Sequence, residues 1–283
     1  PIRTWVNDAL NWAWTFPNAF RRLFGEGALS SAFVPVLSRT LEREGRERAR
    51  AVSNGVVSSL LVALLLLSAA LVAGLSLVPA AAFARCVGET DPARAEEMSR
   101  LLRIVLPYLA GVCVTAQLMA ALNVVGEFTV PALAQVIVNL TWLGGAAAAW
   151  WLEDDLARRA EIIAWSVLVS AVLQILWQMP ALARHGLGFR LVRPRLSPEL
   201  REVLRLLGPM LLGLGAGQIA VLADSQIALL YLPEGGRTHI YYGMRVMQFP
   251  MGLVAVALAT AAYPLLSRLA ARQDHAGVAR AAS

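Results

Sequence analysis

The feature that most restricts this chain is a set of long stretches without a single charged side chain. Ala51–Ala84, Ile104–Gly126, Phe128–Leu152, Ile162–Ala183, Leu206–Ala223 and Val246–Ser267 contain no Asp, Glu, Lys or Arg. Each reaches the roughly 18–20 residues that carry a helix across the hydrocarbon core of a bilayer. No water is available there to satisfy exposed N–H and C=O groups, so such runs take helical form. The chain therefore reads as all-α, a polytopic transmembrane helical bundle. Composition agrees, with 58% hydrophobic and 16% charged residues, against roughly 25% charged in soluble domains.

The same reading excludes several function classes. All 25 basic residues are arginine and the net charge is +6, but the arginines fall in loops rather than along one soluble face, so no nucleic acid is implied as a partner. Cys86 and Cys113 have neither metal spacing nor the pattern of a disulfide framework. His185, His239 and His275 are scattered through loops. No HExxH, GxSxG, Walker, GxGxxG or CxxC motif occurs, so nothing points to an enzyme, a cofactor or a metal.

Seven spans follow, near 5–38, 54–80, 101–124, 129–151, 161–183, 205–231 and 239–267. Strict alternation gathers loops 39–50, 123–131, 184–205 and 268–283 on one side, with 14 arginines, and 85–103, 153–161 and 233–239 on the other, with 7. The bias assigns the first set to the cytoplasm. SRTLEREGRERAR, 38–50, reads as a solvated helical extension, and HGLGFRLVRPRLSPEL, 185–200, with its Gly and Pro breakers, as a connection between bundles. The expected division is a first lobe over 1–185, a cytoplasmic linker over 186–204 and the first two helices of a second lobe over 205–283. A repeated frame supports it. Phe16-Pro17 precedes Pro35-Val36-Leu37-Ser38-Arg39, and Phe249-Pro250 precedes Pro264-Leu265-Leu266-Ser267-Arg268. Both copies run toward the cytoplasm, as parallel repeats about an axis along the membrane normal would. The expectation is that the second lobe is cut short within a longer protein.

Arginines at membrane depth are the candidate functional groups. Arg21 and Arg22 divide two apolar stretches, and a buried arginine costs at least ~2.5–3.5 kcal/mol on insertion scales. They must face a cavity or a partner, unless they snorkel to headgroups. Glu26 lies one turn beyond Arg22 and suits an i, i+4 pair, which leaves Arg21 without a local carboxylate. Arg245 follows Tyr241 and Tyr242, an aromatic belt that puts it about one turn inside the membrane or at its edge. Asp8 and Asp224 are the acidic counterparts, suited to neutralising an arginine, binding a cation or marking a span end. Two arginines on symmetry-related helices facing one cavity would suit a diphosphate, because the guanidinium fork binds phosphate oxygens bidentately.

FPNAFRRLFGEGALSSAFVPVLSR resembles the hallmark segment of the MurJ/MviN family of lipid II flippases. YYGMRVMQFPMGLVAVALATAAYPLLSR resembles that family's second strong motif, and LPYLAGVCVTAQLMAALNVVGEFTVPALAQVIVNL is similar to its fourth and fifth helices. The resemblance covers essentially the whole chain. It implies a two-lobed exporter fold of fourteen helices, of which this chain carries roughly the second to the eighth. It implies alternating access that moves undecaprenyl-diphosphate-linked disaccharide-pentapeptide (lipid II) across the bacterial inner membrane. Arg21 and Arg245 match cavity arginines, Glu26 the glycine-flanked acid and Asp8 the aspartate early in the second helix. With Arg22, these are the expected substrate-binding residues. Lipid II and membrane lipids are the implied partners, with cell-wall synthesis proteins a further class. One departure is Met244, where the family usually has an acid beside the second-motif arginine. Two other readings stay open: an exporter of a different lipid-linked polysaccharide, and a membrane scaffold that binds without transporting.

Overall fold

A computed structural model describes residues 5–22 and 28–250, and every described element is a helix. Helix α1 spans Trp5–Phe20 and opens into a wider π-type turn at Arg21 and Arg22. Helix α2, Ala28–Leu77, runs as one rod with a break at Gly45, whose φ of 83° and ψ of −179° belong to a region essentially reserved for glycine. The first span expected, 5–38, is thus divided between α1 and the opening of α2. The charged extension and the second span make up the remainder of α2. Helices α3 (Ala80–Val87), α4 (Pro92–Val105), α5 (Tyr108–Val124), α6 (Thr129–Leu152), α7 (Leu156–Arg184) and α8 (Pro198–Tyr231) follow. A last described helix, α9, covers 236–250.

Local chemistry sets these boundaries. Asp91 accepts from the Ala93 N–H at 2.9 Å with Pro92 at the first helical position, and Ser197 accepts from the Leu200 N–H at 3.2 Å with Pro198 in the same role. Helix α8 therefore begins inside the range 186–204 read as linker. Residues 85–103, read as a loop, hold most of helix α4, whose apolar face packs under α1 and α7. Its charged residues hid that face.

Helix α5 is the centre of the bundle. It is apolar over most of its surface, and Tyr108, Leu109, Cys113, Leu118 and Leu122 are buried against α2, α6 and α7. The outer helices α6, α7 and α8 leave large apolar side chains outside, Leu143, Trp177 and Leu212 among them. A water-soluble protein does not expose such a continuous apolar surface, whereas lipid covers it at no cost. Five helices among the described residues are long and apolar enough to cross a membrane. Trp150 and Trp151, at 71% and 85% exposed, close α6 beside the charged turn 153–155, as an interfacial belt does.

The two sets of loops gather at opposite ends of the molecule. At one end the Trp5 N–H and Arg94 meet the carboxylate of Glu234, Arg100 pairs with Glu161 at 2.9 Å, and Gln226 donates to the Cys86 carbonyl at 2.7 Å. At the other, Arg39 pairs with Glu202 at 2.9 Å, Arg48 with Glu199, and Arg50 donates to the Gly188 carbonyl. Glu127 and His185 are 3.7 Å apart at this second end, where amides of Val130 and then Thr129, with His185, hold the Glu127 carboxyl below its usual range. The arginine bias of the sequence would put the second end in the cytoplasm, and this is testable. Cys86 is exposed at the first end and Cys113 is buried in α5. In spheroplasts, a membrane-impermeant maleimide is expected to label Cys86 and spare Cys113. Labelling of Cys86 only after lysis would invert the orientation.

Candidate functional site

Arg21 and Arg245 stand on the wall of the same cavity. It encloses about 430 Å³ between α1, α2, α5, α6, α7 and α9, and these arginines are the only charged side chains among its described lining residues. The Arg21 Nε and Nη2 atoms donate to Asn18 Oδ1 at 3.3 and 3.2 Å, across one turn of α1. The Arg245 guanidinium lies 5.2 Å from the centre of the Tyr241 ring, and its Nη2 donates to the hydroxyl of the same tyrosine at 3.0 Å. The neighbour that orients Arg245 is thus an aromatic one turn back, and Met244 takes no part. Asn18 and Tyr241, which hold the two guanidinium groups from one turn back, are both neutral side chains. Two guanidinium groups on the wall of one cavity suit an anionic ligand.

The remaining expected residues fall elsewhere. Arg22 is half-buried and does not line this cavity. Glu26 lies outside the described residues, as does its pairing with Arg22. Asp8 is buried at the opposite end of α1 from Arg21, and its carboxylate is fully occupied. Its Oδ2 accepts from the Gly235 N–H at 2.6 Å, and its Oδ1 accepts from the Thr238 N–H at 2.8 Å and the Thr238 hydroxyl at 2.6 Å. Asp8 therefore caps the N-terminus of α9, where a carboxylate meets both free N–H groups and the positive end of the helix dipole. Asp224, also an open candidate, lines none of the cavity.

Arg237 completes that junction, and the sequence reading had counted it only as a loop arginine. It is 5% exposed. Its Nη1 donates to the Asp8 carbonyl at 3.3 Å, its Nη2 to the Asn11 carbonyl at 2.9 Å and to the Thr15 hydroxyl, and its Nε to the Ser225 hydroxyl at 2.9 Å. Burial pulls the guanidinium down to about 10, with Asp8 pulling the other way. It remains charged at neutral pH. A signal for this site was present in the spacing of Asp8, Asn11 and Thr15, which stack on one face of a mostly apolar helix.

The neutral part of the cavity lining was also missed. Amide and hydroxyl side chains reach it from α5, α6 and α7, among them Asn123, Asn139 and Gln174, together with Trp14, Tyr108 and Trp142. Single Asn, Gln and Trp residues inside apolar runs carry no sequence mark that separates a cavity wall from a packed helix contact.

Comparison with known proteins follows the same lines. The family model described as "Lipid II flippase MurJ" matches residues 3–282. The probable lipid II flippase MurJ of Rhizobium meliloti is 34% identical over 265 residues, 93% of this chain and 49% of that protein. That of Bdellovibrio bacteriovorus is 34% identical over 272 residues, 94% of this chain and 50% of that protein. The lipid II flippase MurJ of Burkholderia cenocepacia is 32% identical over 266 residues, covering 92% and 50%. The chain thus spans about half the length of the curated relatives it matches. A solved structure of lipid II flippase MurJ in an inward closed conformation superposes with a TM-score of 0.71 at 23% identity, over 96% of this chain and 54% of that one, which shows a shared fold. With a multi-pass helical bundle, a family model matching residues 3–282 and relatives at this level of identity, the chain belongs to the lipid II flippase MurJ family.

Proposed function

We propose that this chain forms the first lobe and the opening helices of the second lobe of a flippase. Its cargo would be the undecaprenyl-diphosphate-linked precursor of peptidoglycan, moved across the bacterial cytoplasmic membrane by alternating access. The observation that carries this reading is the pair Arg21 and Arg245, brought from α1 and α9 to one cavity whose other described lining is uncharged. A diphosphate between them would satisfy both guanidinium forks. Such a ligand would bridge the two helices, so binding would draw α1 and α9 together. A neutral lipid would gain nothing from either cation.

The ends of the bundle support a gated pathway. The Asp8–Arg237 junction ties α1 to α9 at one end, and the Arg39–Glu202 and Arg48–Glu199 pairs tie α2 to α8 at the other. Alternating access requires such ties to be made and broken in turn. The cytoplasmic pairs are exposed, and pairs of that kind contribute only about 0–1 kcal/mol each.

The test uses the full-length protein in cells depleted of their own lipid II flippase. Wild type is expected to support growth, while Arg21→Ala and Arg245→Ala, inserted at normal levels, are expected to lead to lysis. Growth with both single variants would remove the arginines from the mechanism. Lysis with well-inserted wild type would reject lipid II as the cargo.

A further inference from the structure

Two arginines account for a diphosphate, but most of the cavity lining has a different chemistry. Helix α6 contributes Gln135, Val138, Asn139 and Trp142 to it. These positions recur at helical spacing and share one face. Leu133, Val136, Leu140 and Leu143, on the other face, are exposed where lipid lies. Gln135 and Asn139 are therefore open to the cavity and not to the bilayer. Neither side-chain amide has a hydrogen-bond partner among the described residues, and the same holds for Asn123 on α5.

The aromatic part of this wall is incomplete in the same sense. The Trp142 indole N–H is buried without an acceptor. Its ring stacks on Trp14 with centroids 6.0 Å apart at 28°, and Trp14 in turn lies 5.3 Å from Tyr108. Amides without partners at membrane depth are costly unless water or a ligand meets them. Each offers donors and an acceptor together, which is what hydroxyl and acetamido groups require. A carboxylate-rich ligand would instead find neutral donors but no further cation in this part of the lining.

We propose that Gln135, Asn139 and Trp142 of α6, with Asn123 of α5, form a saccharide subsite that reads the sugar attached to the diphosphate. The inference rests on the reading of Arg21 and Arg245 as diphosphate ligands. It divides the cavity into a cationic part that gives affinity for any polyprenyl diphosphate and a neutral amide and indole part that selects those bearing a sugar. Substrate choice then lies in α6, while the pull between the lobes lies in the arginines.

The experiment measures binding to the full-length protein in nanodiscs with three probes: undecaprenyl diphosphate, the same lipid carrying the disaccharide without peptide, and the complete disaccharide-pentapeptide lipid. The double variant Gln135→Leu with Asn139→Leu is expected to bind both sugar-bearing lipids about tenfold more weakly, as the loss of two neutral hydrogen bonds implies. Its affinity for undecaprenyl diphosphate is expected to stay unchanged, which also reports intact folding. Trp142→Phe, which keeps a ring and removes the N–H, is expected to show the same selectivity with a smaller loss. Equal weakening for all three lipids, no weakening, or a loss confined to the peptide-bearing lipid would overturn the subsite. Arg21→Ala reports separately: it should weaken all three lipids alike, and unchanged binding there would reject the diphosphate reading itself.

Discussion

Replacing Asp8 with Ala is expected to lower the stability of the folded bundle by about 3–5 kcal/mol, the range seen when one side of a buried charged network is removed. The size follows from what the carboxylate leaves behind. The N–H groups of Gly235 and Thr238 and the Thr238 hydroxyl all point at it. In a buried junction each orphaned donor costs about 1–3 kcal/mol. Arg237, buried beside it, would also lose its nearby carboxylate. Asp8→Asn should cost less, because its amide oxygen still accepts from one or two of these donors. The measurement is thermal stability of the detergent-solubilised full-length protein, with cysteine pairs across α1 and α9 reporting whether that end stays closed. If Asp8→Ala and wild type melt together and crosslink equally, the capping role is wrong. The double variant Asp8→Ala with Arg237→Ala should be less damaging than the sum of the two single losses, since the residues share one network.

The second large effect is expected at the crossing of α6 and α7. A Cβ added at Gly145 would lie 2.3 Å from Ser166 Oγ and 2.4 Å from Ser166 Cβ. Small residues let membrane helices approach closely, because association there relies on packing and not on water exclusion. Gly145→Val is expected to cost about 3 kcal/mol, at the upper end of the usual overpacking penalty. Ser166 lies on the body of α7 and cannot swing away. The two helices would have to separate, and α6 would carry Asn139 and Trp142 with it. Loss of stability should therefore come with weaker binding of sugar-bearing lipid. Ser166→Gly placed in the same chain should recover much of both. Gly144, which has nothing within 4 Å of its added Cβ, supplies the control: Gly144→Ala should change neither readout, and equal damage at both positions would point to a general effect on α6.

The arginines illustrate how far a residue pattern reaches. Arg21 and Arg245 were legible as candidates because a charge inside an apolar run is rare and costly, so each marks itself. That they share a cavity was an expectation from the family resemblance and not from the residues themselves, since α1 and α9 are more than two hundred residues apart and only the folded bundle brings them to one wall. Asp8 shows the converse case. Its position early in a span was compatible with cation binding, charge neutralisation or a span end, and local sequence could not choose among them. The choice came from the turn at 233–235 and the start of α9, which present their free N–H groups at that one carboxylate. Helix α4 was hidden for a related reason: its charges mark it as a loop, while its buried face is set by α1 and α7.

By itself the sequence determined the all-helical membrane architecture and the arginines that needed explanation. Each of these is a property of a single segment: its length without charge, or one residue out of place in it. Tertiary structure alone decided how Arg21 and Arg245 come to line one cavity, that Asp8 and Arg237 form a junction between α1 and α9, and that Gln135, Asn139 and Trp142 look inward. In a bilayer the outer surface of each helix is as apolar as its packed surface, so hydrophobicity does not tell the two apart. Only the neighbouring helices do.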